Sequence, residues 1–313
     1  MKLDPDFWLE LEITYVDRIR QRQRLHASEG TAVLQKLPGS ELAATELMEI
    51  CVQFLCARYP NYFRLDKANL VLHNGLLSTT SDLNSIDPLQ VLLDNIPEDF
   101  AIMLRDPETG IYSFRAGIIM SAQGWTLGSK IGLKVHEIHD PVIDYREKMK
   151  FSMDRFFAKM PTDRPIQRGS WSLEVDEPLF MPPGHPHEKL RDKQDPELGI
   201  DRFNLRVDWQ TLRRLPLSGA IVFNFKALFT PVTKFRHEPY IPSLLLKVLQ
   251  EGHRSIIEHK GTWHTEHVVI PALEEYEREQ IAGGLMENGR EVKTLDESPF
   301  YPDWREKWQA KQT

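Results

Sequence analysis

Histidine is the side chain best suited to acid–base or metal chemistry near neutral pH, and two histidine-bearing segments stand out. The first, KVHEIHDPV, carries His136 and His139. The run SKIGLKVHEIH reads as a strand, and the odd separation of the two imidazoles then sets them on opposite faces. They would not chelate one ion together. One alone, facing a pocket, suits an axial metal ligand or a general base. The second segment, EGHRSIIEHKGTWHTEHVV, carries His253, His259, His264 and His267. On a helix His264 and His267 stand at i, i+3 with Glu258 and Glu266 close by, so a zinc-dependent hydrolase is one reading. The spacing lacks a third fixed ligand, and an exposed polar helix start is the simpler account of it.

Charge supplies a third group. In LRVDWQTLRRLPLSGAIVF, Arg206, Asp208, Arg213 and Arg214 punctuate a strand that ends in an apolar run. Alternation puts Arg206 and Asp208 on one face, where burial would make them a charge-assisted pair and exposure a solvated salt bridge. Arginines at the mouth of an apolar pocket suit a ligand that carries carboxylates. Several chemistries lack their signatures. There is no G-x-G-x-x-G after a strand and no phosphate-binding P-loop. There is no H-E-x-x-H and no G-x-S-x-G. The two cysteines, Cys51 and Cys56, are too few for an iron–sulfur cluster. Their spacing turns them about 140° apart on a helix, which reads as core packing in a reducing compartment. Any electrons for redox chemistry would come from elsewhere.

The elements that must position these residues follow from pattern. A helix of mixed character is expected over residues 7 to 27, with the basic run Arg18, Arg20, Arg22 and Arg24 on a solvated end. Leu47, Ile50, Cys51, Phe54 and Leu55 predict a helix over 41 to 59, with Ser40 as N-cap and Pro60 as its stop. Residues 61 to 98 read as irregular, apart from a possible strand in NLVLHNGLL. DFAIMLRD and GIYSFRAGIIMSA flank DPETG as a hairpin. Met149, Met153, Phe156, Phe157 and Met160 predict a helix over 146 to 160. RFNLRVDWQTLRRLP and GAIVFNFKALFTPV form a second antiparallel pair around Pro216, Ser218 and Gly219. Residues 184 to 201 read as a long exposed loop, 242 to 251 and 271 to 282 as helices, and the tail beyond 284 as a surface arm. This order is not a βαβ alternation, so an α+β fold with helices packed on an antiparallel sheet is expected. It reads as a single domain over 1–313, with a helical part to about 60, a β-rich core over about 96–235 and a helical part over about 240–313.

Composition narrows the class further. The apolar share, 41% of 313 residues, supplies a core without covalent staples. A net charge of −7 argues against a nucleic-acid partner. The acidic start, MKLDPDFWLELEITYVD, has no apolar stretch of a secretory signal. No apolar run approaches the roughly 18 residues of a membrane span. A cytoplasmic protein is expected.

The motifs together resemble the haem-dependent oxidative N-demethylase alpha-subunit-like family. That family carries K-I-G, then I-H-x-P-V-P-x-Y, an amphipathic helix, R-x-N-W-S and R-V-E-R-Q-T-L-x-R-L-P. This chain has Lys130-Ile131-Gly132, and Ile138-His139-Asp140-Pro141-Val142-Ile143-Asp144-Tyr145. It then has Arg168-Gly169-Ser170-Trp171-Ser172, and Arg206-Val207-Asp208-Trp209-Gln210-Thr211-Leu212-Arg213-Arg214-Leu215-Pro216. The likeness covers residues 1 to 280, and QTLRRLP is its most specific string. Four positions depart from the pattern: Asp208 for Glu, Trp209 for Arg, Ile143 for the second Pro and Ser170 for Asn.

The resemblance implies a PAS-like antiparallel sheet enclosing haem b, with a histidine on the iron. By motif position that histidine is His139, with His136 as the alternative. Lys130, Arg206, Arg213 and Arg214 are then candidates to bind the haem carboxylates or stiffen the pocket. The implied activity is O2-dependent removal of an N-methyl group from a small secondary or tertiary amine, with a separate reductase supplying electrons. Asp208, Trp209 and Trp171 could assist the amine by charge or cation–π attraction. A haem-binding sensor or carrier without turnover is the alternative, and the zinc hydrolase stands third.

Overall fold

Helix formation starts later than the sequence pattern predicts. The computed structural model describes residues 1–142 and 145–289. In it the first long helix, α1, spans Tyr15–Glu29, because the preceding backbone is engaged elsewhere. The Tyr59 hydroxyl donates to Leu9 O at 2.9 Å and accepts from Leu11 N at 3.3 Å. Nor is the basic run of α1 wholly solvated: Arg22 is buried, ion-paired with Asp99, and donates to Glu98 O at 2.8 Å. A short strand, β1 (Leu34–Lys36), precedes α2 (Glu41–Arg58). Ser40 occupies the N-cap position of α2, but its hydroxyl donates backwards to Leu37 O. Cys51 is buried and Cys56 half-buried, both free thiols.

The stretch expected to be irregular is ordered. Strands β2 (Phe63–Asp66), β3 (Val71–Asn74) and β4 (Thr79–Asp82) form a three-stranded antiparallel sheet. Asp66 makes the β2–β3 turn, and Asp82 the turn that leaves β4, each by accepting from the backbone N–H two residues on. Helix α3 (Pro88–Asn95) follows, capped by Asp87, whose carboxylate accepts from Leu89 N at 2.9 Å.

The hairpin of β5 (Asp99–Arg105) and β6 (Tyr112–Ile118) is present as expected. Asp106 holds its turn by accepting from Glu108 N and Thr109 N, and Gly110 supplies the positive φ of +71°. The expected strand over SKIGLKVHEIH is instead two single-turn helices, α4 (Leu127–Lys130) and α5 (Val135–Ile138). A reciprocal cap between Thr126 and Ser129 starts α4, and Glu137 accepts from Lys134 N at 2.7 Å to start α5. A π-helical turn, Tyr145–Met149, leads into α6 (Lys150–Lys159).

Three long strands complete the main sheet: β7 (Ile166–Val175), β8 (Phe203–Arg214) and β9 (Ile221–Pro231). Its order is β1-β6-β5-β9-β8-β7. The β8–β9 turn closes through Leu215 N to Ala220 O at 2.8 Å, with Gly219 at φ +66°. Residues 184–201 hold a 3-10 turn over Pro186–Arg191 and the start of a second, Ile200–Arg202. Helices α7 (Ile241–Glu251), α8 (Arg254–Lys260) and α9 (Trp263–Ala282) end the described chain. Helix α9 begins eight residues before its predicted start and carries Pro271 inside it. Most of the expected surface arm, residues 290–313, lies outside the described residues.

The chain resolves into two compact units, one of Met1–Gly169 with Trp209–Lys226, the other of Ser170–Asp208 with the chain from Ala227. In the first, Lys226 Nζ donates to Glu10 O at 2.6 Å and pairs with Glu12 at 3.1 Å. The second has its own apolar core, in which Leu173, Val175 and Phe203 meet Leu246, Val269 and Leu273. No helix among the described residues is long and apolar enough to cross a membrane.

Candidate functional site

A cavity of about 340 Å³ lies in the first unit, between one sheet face and the segment that links β6 to β7. That volume falls within the range of small-molecule sites, roughly 300–1,000 Å³. Side-chain alternation builds its floor. Ala101 and Met103 of β5, Ile166 and Arg168 of β7, and Phe223 and Phe225 of β9 are i, i+2 pairs. Phe114 of β6 joins them. Its ring edge occupies the space above Gly117, where an added Cβ would stand 2.8 Å from Phe114 and 2.6 Å from Phe100 O.

Helical periodicity builds the other wall. Val135, Ile138, His139 and Val142, at i, i+3, i+4 and i+7, all line the cavity. Met153, Phe156 and Phe157 of α6 extend it. Arg214 fixes the end of α6: it donates to the carbonyls of Phe157, Met160 and Gly219, and to the Tyr112 hydroxyl at 2.8 Å. A guanidinium at a helix C-terminus satisfies carbonyls that have no partner within the helix.

Among the described residues that line it three are titratable, and all three are basic: Lys130, His139 and Arg168. The Lys130 ammonium sits over the Trp125 indole at 4.2 Å from the ring centre, and burial lowers its pKa. Arg168 is more open to solvent. It donates through Nε to Gln210 at 2.7 Å and lies 5.4 Å from the Phe223 ring centre. Neither cation has a carboxylate partner among the described residues.

His139 Nδ1 meets Val135 O at 2.7 Å. Burial pushes its pKa below the ordinary imidazole value, and the charges of Lys130 and Arg168 push the same way, against the Val135 carbonyl. The neutral ring therefore carries its proton on Nδ1, which leaves the Nε2 lone pair as a donor. A ring nitrogen tied to a carbonyl with the other free is the arrangement of a metal-ligating histidine.

A model of the family described as haem-dependent oxidative N-demethylase, alpha subunit-like, matches residues 1–270. The chain belongs to this family. The family's name carries haem dependence and an oxidative activity, and its words "alpha subunit-like" point to a system of more than one component. The residues present fit a haem. They offer an apolar slot with aromatic walls, one neutral imidazole with a free nitrogen, and two cations without carboxylates, which haem's own carboxylates would satisfy.

Of the residues singled out from the sequence, His139 and Lys130 line the cavity. His136, on α5, does not; its Nδ1 is buried without a partner among the described residues. Arg213 stands 3.5 Å over the Trp8 ring, on the sheet face opposite Leu212. Trp209 likewise alternates away from Gln210 and Leu212. Arg206 and Asp208 belong to the second unit, paired as expected at 3.0 Å. Trp171 lies there too, beneath the Lys260 ammonium.

Three histidines of the zinc reading each have a hydrogen-bond partner of their own. His264 Nδ1 meets Gly261 O, His267 Nε2 meets Asp195 O, and His253 meets the Ser255 hydroxyl. No group of three metal-ligating side chains occurs among the described residues. Sequence reading did not single out Arg168 as a cofactor residue, although it opens the R-x-N-W-S motif. Only the strand that carries it reveals its direction. Ile143, a departure from the motif, lies outside the described residues.

Proposed function

We propose that the cavity holds haem b through His139 Nε2, with Lys130 and Arg168 beside its carboxylates, and that the loaded protein removes an N-methyl group from a small secondary or tertiary amine. The observation that carries this reading is the pairing of one neutral, carbonyl-tethered imidazole with two cations that have no carboxylate partner among the described residues, on the wall of an apolar cavity. Bound haem would supply the activation of O2 with electrons from a separate reductase. The chain's own residues bind and orient: His139 holds the group, Arg214 steadies α6, and the phenylalanine walls exclude water. The PAS-like part of the reading is supported by the order of β5–β9, which is second, first, fifth, fourth, third, and by the helical crossover that covers one face.

A haem-binding sensor or carrier is the second reading, and one observation favours it. Among the described residues no carboxylate lines the cavity, so they offer a protonated amine no counter-charge. Both readings predict the same first experiment. Haemin added to the purified protein should give a Soret band that His139→Ala abolishes or displaces and His253→Ala leaves unchanged. An unchanged spectrum in His139→Ala refutes the ligand assignment.

A further inference from the structure

The ring of Tyr145 stacks on that of His139, with centroids 5.1 Å apart and planes 14° from parallel. Backbone turns bring the two together: Val142 N donates to His139 O at 2.8 Å, and Tyr145 N to Val142 O at 3.1 Å. Tyr145 is 1% exposed, and its hydroxyl is buried with no partner among the described residues. Burial pushes the phenol up to about 12, with Asp154 adding to the effect, so the ring is neutral in the physiological range. It opens the π-helical turn before α6, a geometry that recurs at functional sites.

An imidazole held only by its Nδ1 bond to Val135 O can still swing about that bond. A flat partner against its face removes this freedom. We propose that Tyr145 is the positioning residue of His139: its ring fixes the imidazole plane, so that Nδ1–H stays on Val135 O and the Nε2 lone pair keeps one direction. This rests on the haem reading only for its consequence, because the stacking and the tautomer belong to the protein itself. The aromatic face is the acting part, and the hydroxyl is dispensable.

The test uses the full chain with Tyr145→Phe, which keeps the ring, and Tyr145→Leu, which keeps bulk without a flat face. Tyr145→Met is the second unstacked variant should the core reject leucine, with circular dichroism confirming the fold of each. Nitrogen-15 NMR of the haem-free protein reads the tautomer of His139. Haemin titration reads affinity through the Soret band. Wild type and Tyr145→Phe should show one Nδ1–H tautomer and the same haemin affinity. The unstacked variants should show mixed tautomers and bind haemin about 10–100-fold more weakly, the usual loss when the support of a metal ligand is removed. A folded Leu or Met variant that keeps both tautomer and affinity overturns the proposal. So does a Phe variant that loses both, since the hydroxyl would then be the acting group. Failure of wild type to take up haemin would refute the cofactor reading alone, leaving the tautomer measurement to decide the role of Tyr145.

Discussion

His139 is useful only while neutral, and its surroundings keep it so. Its pKa is lowered chiefly by burial, then by Lys130 and Arg168. In the unfolded chain an imidazole takes a proton near pH 6.5, while in the fold it resists until lower pH. Between those two values the unfolded state binds more protons, so this residue's contribution to stability is complete above pH 6.5 and is lost as pH falls through the window. Glu10 acts with the opposite sign. Burial raises its carboxyl to about 8, opposed by Lys226, so the folded state holds a proton that the unfolded state releases near 4.5. That contribution weakens stability as pH rises from 4.5 to 8. Comparing His139→Gln with wild type cancels the Glu10 effect, which both share. Urea denaturation at pH 7.5 and pH 5.5 should show wild type losing more stability on acidification than the variant. Equal losses would mean that His139 titrates in the fold as it does in water. Haemin uptake by wild type should likewise persist at pH 6, where a free imidazole is mostly protonated.

Helix α1 is tied to the sheet at one buried point, where Arg22 meets Asp99. The carboxylate also accepts from Met120 N at 2.9 Å, from Ser121 N at 2.8 Å and from the Ser121 hydroxyl. Replacing Arg22 by Met leaves that carboxylate buried without its cation, a change that costs about 3–5 kcal/mol in comparable pairs. Chemical denaturation should show a loss of that size, whereas Arg24→Met, on the exposed side of α1, should cost little. The basic run gave no hint of this, because one buried arginine among four depends on a partner 77 residues away. Local signals served better where local physics decides. The turn residues Asp106, Gly110 and Gly219 marked both hairpins, and the apolar spacing of α2 marked its extent. The cavity wall shows how a pattern can mislead. Ile131, Leu133 and Val135 alternate like a strand, yet Val135, Ile138, His139 and Val142 carry a helical period through the same stretch. The caps at Thr126 and Lys134 decide between them. The motif drew attention to His139, which does line the cavity, but not to Arg168, because its place on the same wall depends on the parity of a strand that the sequence did not reveal.

At the scale of the whole molecule, the net charge is −7 while, among the described residues, the charged groups lining the cavity are all cations. If the cavity holds haem as proposed, binding of its carboxylates would depend on the local field of Lys130 and Arg168 beside an apolar lining, where charges act more strongly than in water. Electrons must also reach the site, and the chain carries neither a dinucleotide fingerprint nor the cysteines of an iron–sulfur cluster. Purified haem-loaded protein given NADPH and O2 alone should therefore consume no NADPH. With a separate reductase or a chemical reductant, a panel of secondary and tertiary methylamines should yield formaldehyde. The balance is one O2, two electrons and two protons per methyl group. One oxygen atom enters a methyl C–H bond and the other leaves as water. The resulting carbinolamine breaks its C–N bond, the hydroxyl proton passes to nitrogen, and formaldehyde and the shorter amine separate. This reaction would need no nucleophilic side chain, in keeping with described lining residues that are aromatic rings, aliphatic chains and three basic groups. Because the described residues of that lining offer no carboxylate to a cation, turnover should rise with pH as the amine loses its proton. Formaldehyde from at least one amine, dependent on reductant, supports the oxidase. Its absence from a protein that is haem-loaded and visibly reduced would favour the sensor or carrier, and sustained NADPH oxidation coupled to product by the isolated chain would refute the need for a partner.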